Sequence, residues 1–329
     1  MIILSADEVR QALPMREAIE AMKVAYAALS GGTAVVPLRT QLQIPGSEAL
    51  SLFMPAYVSA ADQNALAVKV VSLFPTNPSR GLAFIQAAVL AFDPETGRAL
   101  ALLEGSSLTA IRTGAAGGAA VDLLARPDSK VVAIFGAGVQ GRTQLEAVCA
   151  ARQIETAVIL DPNPGKAKAF AEELKGRNGI TGDIRVASTS REAIEDADII
   201  CTATTSRRPV FEDRDLKAGT HISAVGSYTP EMQEVPVETL LRARVFVDSR
   251  LASLEEAGEL IQPIRAGIFD ESHICGELGE VVLGQIPGRQ TPDEITYFKS
   301  VGIAVQDALA AQVALHNARK LNIGKEVDF

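Results

Sequence analysis

The residues most able to do chemistry in this sequence begin with three glycines. Gly136, Gly138 and Gly141 stand in Gly136-Ala137-Gly138-Val139-Gln140-Gly141, directly after the apolar run 130–135 and directly before a helical pattern over 139–152. In that setting the first glycine permits a tight turn and the second lets backbone amides approach a pyrophosphate. The third lets the helix lie close to the strand, its amino terminus facing the phosphate charge. Asp161 follows Gly141 by twenty residues and ends the next apolar run, 156–160. A carboxylate there would accept hydrogen bonds from the adenosine ribose and repel a 2′-phosphate, which predicts NAD(H) as the preferred cofactor with NADP(H) as the alternative. Asp161-Pro162-Asn163-Pro164 is equally ordinary turn chemistry. Thr202, Thr204 and Gly226 end further apolar runs, at the strand ends where such sheets receive a cofactor.

A second group of candidates is cationic. Arg39 and Lys69 lie inside strand-like apolar runs, and Arg112 near the start of a helix rich in small residues. A guanidinium and an ammonium facing one pocket would hold a substrate carboxylate. Taken singly, each also fits a surface residue that lays its stem on apolar neighbours and keeps its charge in water. Cys149, Cys201 and Cys275 are odd in number and widely spaced, as reduced thiols are, and the isolated His221, His273 and His316 offer no metal-ligand spacing.

The elements that must position these groups fall into two kinds. Residues 14–30 predict an amphipathic helix stopped by Gly31-Gly32, and the β-rich runs 35–44, 49–54, 65–74 and 84–92 predict strands. The turn 93–97 joins the last of these to 98–103 as a hairpin, so the first part of the chain reads as a helix with a mostly antiparallel sheet. Ser106 or Ser107 is the expected cap of a helix reaching about Ala125, whose stripe from Gly114 to Ala120 calls for close approach by another helix, a backbone or a ligand. After a break at 126–129, strands at 130–135, 156–160, 184–187, 198–203, 220–225 and 244–247 alternate with helices at 139–152, 166–174 and 191–195, the pattern of a doubly wound parallel sheet. Residues 254–293 read as loop-rich, and 296–321 as one long alanine-rich helix that returns to the first domain.

Composition sets the outer limits. The 329 residues carry a formal charge of −9, without a basic run of five or more, which argues against a protein built to grip nucleic acid. No apolar stretch approaches the roughly 20 residues of a membrane-spanning helix. The first eight residues lack the basic start of a signal peptide, so the expectation is a cytoplasmic protein with no nucleic-acid or membrane partner.

Taken together, the pattern resembles the ornithine cyclodeaminase/μ-crystallin family over nearly the whole chain. The residues that carry the resemblance are Met54-Pro55-Ala56, Lys69, Ser107-Leu108-Thr109-Ala110-Ile111-Arg112-Thr113, the Gly136 to Gly141 loop, Ala224-Val225-Gly226-Ser227, and Lys299-Ser300-Val301-Gly302 with Gln306-Asp307. It implies a Rossmann domain (120–296) joined to an α+β domain made from both chain ends (1–119 and 297–329), which forms a homodimer and supplies the substrate pocket. On the same basis Arg39, Met54, Lys69 and Arg112 are assigned to the substrate. Arg112, Thr113, Val139, Gln140, Asp161, Thr202, Val225, Gly226, Ser227 and Ser300 join the three loop glycines on the cofactor.

The resemblance also shows a departure. Cyclodeaminases of the family carry Asp two residues after the Val-Gly pair, where this chain has Tyr228, and Glu two residues before Met-Pro, where it has Leu52. Losing both carboxylates removes the evident acid and base for ornithine cyclodeamination. The expected activity is therefore reduction of a cyclic imino acid, such as Δ1-pyrroline-2-carboxylate, with Lys69 and Arg39 acting on the substrate and Tyr228 as hydroxyl donor or pocket wall. The alternatives are an ornithine cyclodeaminase, an alanine dehydrogenase-like enzyme, or a μ-crystallin-like binder without catalysis.

Overall fold

A computed structural model describes residues 1–60 and 64–328 of the chain. In chain order the elements are β1 (Ile2–Leu4), α1 (Ala6–Ala12), α2 (Met15–Ser30), β2 (Ala34–Val35), β3 (Thr40–Gln43), β4 (Leu50–Val58), β5 (Ala65–Leu73), β6 (Ile85–Phe92), β7 (Ala99–Glu104) and α3 (Gly105–Leu124). They continue as β8 (Val131–Phe135), α4 (Val139–Ala151), β9 (Thr156–Leu160), α5 (Pro164–Leu174), β10 (Asp183–Val186), α6 (Ser190–Ile194), β11 (Ile199–Thr202), β12 (His221–Ala224), α7 (Val237–Arg242) and β13 (Ala243–Val247). The last are α8 (Arg250–Glu256), α9 (Gly258–Arg265), β14 (Ile274–Glu277), α10 (Leu278–Val282), β15 (Ile295–Lys299), α11 (Ala304–Leu321) and β16 (Lys325–Glu326).

The chain divides into two compact units, Met1–Arg112 with Ile303–Phe329, and Thr113–Gly302. The divisions fall inside α3 and just before α11, rather than at 119/120 and 296/297. In the first unit the strands run in the order β16-β1-β7-β6-β5-β4-β2, with β3 also on β4. Alternation decides what each sheet face does. Met54, Ala56, Ala67, Val89, Ala101 and Leu103 are buried on the face covered by α11 and α2, and Lys69 lies among them. Phe53, Val68, Val70, Leu90 and Leu102 point to the opposite face and stay partly exposed.

The second unit is an eight-stranded parallel sheet ordered β10-β9-β8-β11-β12-β15-β13-β14. Its strands read as nearly continuous apolar runs because helices cover both faces. The small-residue stripe of α3 is explained here by a helix neighbour: a Cβ on Gly114 would meet the Thr143 backbone of α4, and one on Gly117 would meet the Gln144 side chain.

Four local expectations are corrected. Residues 35–44 are not one strand, because Pro37 interrupts the ladder between β2 and β3. The cap of α3 is neither serine; the Glu104 carboxylate accepts from the amides of Ser106 and Ser107 at 2.8 Å each. Residues 296–321 are not one helix: β15 takes Ile295-Thr296-Tyr297-Phe298-Lys299, and Gly302 at φ +85° turns the chain before α11 begins. The span 254–293 holds α9, β14 and α10, a set of short elements without a strong period of their own.

Candidate active site

In the second unit, β8 is buried and delivers the chain to Gly136, whose φ of +100° only glycine adopts without strain. A Cβ on Gly141 would run into the Gly136 carbonyl oxygen, so this glycine allows the first turn of α4 to sit on the loop. Gly138 begins α4 with no side-chain cap and with open space where a Cβ would stand. Its amides and the helix terminus therefore face outward, ready for an anion. The cleft above, about 1580 Å³, is lined by Gly138, Val139, Asp161, Asn163, Thr204 and Ser206 among others. Asp161 does more than end β9: its Oδ2 accepts the Ala137 amide at 2.9 Å and its Oδ1 the Asn163 amide at 2.8 Å. Each oxygen keeps a lone pair for a further donor. These features fit a dinucleotide, with the pyrophosphate at Gly138 and the adenosine ribose at Asp161.

Other residues assigned to the cofactor stand differently. Thr202 is fully buried and its hydroxyl donates to Glu234 at 2.9 Å; Ser227 is fully buried and donates to the Met232 carbonyl; Ser300 donates to Asp248 at 2.8 Å. Their hydroxyls hold protein together rather than line the cleft, where Thr204 stands instead. Val225 and Gly226 are half-buried after β12, Gln140 lies in the first turn of α4 beside Thr143, and the Thr113 carbonyl accepts from Gln144 at 3.0 Å. Tyr228 is about one-third exposed, and burial of the rest pushes its hydroxyl pKa up.

In the first unit, the register of β4 with β5 sets Met54 opposite Lys69. Lys69 is almost fully buried and its Nζ donates to Asp307 Oδ2 at 2.7 Å. The other oxygen of Asp307 accepts from Arg112 Nε at 3.1 Å, while Arg112 also donates to Gln306 at 2.9 Å, and Gln306 donates to the Tyr26 hydroxyl at 2.7 Å. Burial brings the Lys69 pKa down from 10.5 to about 8; Asp307 opposes the fall, and the charges of Arg112 and Arg39 add to it. Arg39 stands in the loop before β3 rather than within a strand, yet its field reaches Lys69. Leu52 takes the covered position two residues before Met54. Asp307, Glu234 and Asp248 were missed as site residues by sequence reasoning. Asp307 entered only as part of the Gln306-Asp307 pair that carries the resemblance, with no role assigned to it, and the other two have no motif around them.

Sequence and structure comparisons place the chain among known proteins. The model of the ornithine cyclodeaminase/mu-crystallin family matches residues 1–322. The chain belongs to this family. A Δ1-pyrroline-2-carboxylate reductase of Bacillus cereus is 39% identical over 330 residues, covering 100% of both chains. Among family structures, Thermococcus litoralis Δ1-pyrroline-2-carboxylate reductase, solved with NADH and L-proline, superposes with a TM-score of 0.93 at 45% identity, covering 99% of this chain and 100% of that one. An archaeal alanine dehydrogenase dimer with bound NAD gives a TM-score of 0.91 at 32% identity, covering 100% and 99%.

Proposed function

We propose that this family member is an NAD(P)H-dependent ketimine reductase that converts Δ1-pyrroline-2-carboxylate, or a related cyclic imino acid, to the L-amino acid, proline in the five-membered case. The observation that carries this reading is a buried ammonium, Lys69, with a pKa of about 8 beside Arg112, while positions 52 and 228 hold no carboxylate. Full-length likeness to the two Δ1-pyrroline-2-carboxylate reductases supports it. NADH, when bound, supplies a hydride to the C=N carbon. The chain's own residues do the rest. Lys69 spends one of its three N–H bonds on Asp307 and keeps two for the substrate; Arg112 keeps part of its fork, and Arg39 adds positive charge. These cations orient the substrate carboxylate, and Lys69, directly or through a water, gives the imine nitrogen its proton. Tyr228 keeps the role of a hydroxyl donor or a wall.

NAD(H) is the preferred cofactor on the strength of the Asp161 carboxylate, with NADP(H) as the alternative. The test is NADH and NADPH consumption with Δ1-pyrroline-2-carboxylate, with the six-membered piperideine-2-carboxylate, and with pyruvate plus or minus ammonia, beside a separate assay of proline formation from ornithine. Fast, ammonia-independent oxidation with a cyclic imine is the expected result. Activity only with pyruvate and ammonia would make it an alanine dehydrogenase, proline from ornithine a cyclodeaminase, and silence throughout a binding protein.

The protein is further proposed to act as a homodimer in the cytoplasm, where its three free cysteines stay reduced. The partly exposed apolar residues Phe53, Val68, Val70 and Leu90, on the sheet face opposite α2 and α11, support the dimer, since a contiguous exposed apolar patch marks an interaction surface. Light scattering should give twice 34.7 kDa for the wild type and a monomer for Val68→Asp. A dimeric variant would move the seam elsewhere.

A further inference from the structure

A buried carboxylate that the mechanism does not use stands under the cleft of the second unit. Glu234 is fully buried, and its Oε1 accepts the Thr204 amide at 2.6 Å. Its Oε2 accepts the Thr202 hydroxyl and the Gly226 amide at 2.9 Å each and the Ser227 amide at 3.2 Å. Four donors converge on one side chain, an arrangement that favours the ionised carboxylate, an acceptor at both oxygens. Thr202 ends β11 and Gly226-Ser227 follow β12, so Glu234 ties together the carboxyl ends of two neighbouring strands. Among the described residues no Lys or Arg forms a direct ion pair with it. Lys299 lies 3.0 Å from Glu259, which in turn accepts the Glu234 amide at 3.0 Å, and its positive charge also reaches Glu234. Burial and the Glu259 charge push the Glu234 pKa up, while the Lys299 ammonium and the converging donors oppose the rise.

In a doubly wound sheet the dinucleotide crosses the strand ends, with its pyrophosphate at the first glycine loop. Asp161 takes the adenosine end, which leaves the nicotinamide end over β11 and β12. We propose that Glu234 is a positioning residue for the nicotinamide half of the cofactor: it fixes the backbone of residues 202–204 and 226–227 and places a negative charge beneath the ring. This rests on the NAD(H)-dependent reading above. The charge distinguishes the two redox forms, because the oxidised ring is cationic and the reduced ring is neutral.

The test compares NADH, NAD+ and ADP-ribose binding in wild type and in Glu234→Gln. An amide presents an NH2 to backbone donors, so NADH should bind about tenfold and NAD+ about thirtyfold more weakly, with ADP-ribose, which lacks the nicotinamide, changed less than about twofold. Thr202→Val removes one donor and keeps the charge; it should weaken NADH and NAD+ equally, by about threefold. That variant carries the test if Glu234→Gln does not fold. Wild-type affinities for NADH and NAD+ in Glu234→Gln, an equal loss of ADP-ribose, or no effect of Thr202→Val would overturn the proposal. Failure of the wild type itself to bind NADH would instead overturn the reading beneath it.

Discussion

Lys69→Ala is expected to lower kcat/KM for Δ1-pyrroline-2-carboxylate by about 10³-fold, the scale of a lost general acid, with NADH affinity unchanged. The substitution removes the proposed proton source and one cation of the proposed substrate pocket. It leaves Asp307 bonded to Arg112, so no buried charge is stranded and the unit should stay folded. Lys69→Arg should not restore the rate, because a guanidinium does not release its proton in this pH range. Steady-state rates together with NADH fluorescence titration check both halves. Turnover of Lys69→Ala within tenfold of wild type would remove Lys69 from the chemistry.

Asp307→Asn should do more damage to the fold. Asp307 is almost fully buried and is the carboxylate shared by Lys69 and Arg112. Removing one side of a buried ion pair costs about 3–5 kcal/mol, because the partner charge is left without compensation. For units of this size that is a fall in melting temperature on the order of 10 °C. The pH behaviour gives an independent signature. With Lys69 as the proposed proton donor, the wild-type rate should be level below about pH 8 and decline above it. Asp307 raises the Lys69 pKa, so in Asp307→Asn the decline should begin at lower pH. Stability moves the other way. The folded pKa of about 8 lies under the reference 10.5, so between these values the unfolded chain binds more protons and the Lys69 contribution rises with pH. A variant whose rate limb stays in place would show that Asp307 does not set the Lys69 charge.

The dinucleotide half of the site was the most legible in the sequence, because a loop of fixed glycine spacing between an apolar strand and a helix encodes local geometry directly. The alternating strands and helices to residue 247 were readable for the same reason. The misreadings arose where two periods abut without a break. Ile295 to Lys299 is a short apolar run joined to an alanine-rich helix, and only the left-handed Gly302 separates them. The β1 strand and α1 helix were too short to carry a period. In the cationic half, Lys69 and Arg112 stood out as charges in apolar surroundings, but their common partner, Asp307, is 238 positions from Lys69. Such pairings follow from how the chain end returns to the sheet, and no local signal records them. The same holds for Glu234, whose four donors come from two different strand ends.

The double engagement of Asp161 bears on how readily cofactor choice can change during evolution or by design. One carboxylate both faces the expected ribose position and tethers the Ala137 amide of the glycine loop. Exchanging it for a small or basic residue to admit a phosphorylated ribose also unfastens that loop. Redesign of the coenzyme site is therefore expected to work best with a second change that supplies a new partner for the Ala137 amide. The tie from Asp161 to Ala137 thus links the ribose end of the cofactor site to the integrity of the loop itself.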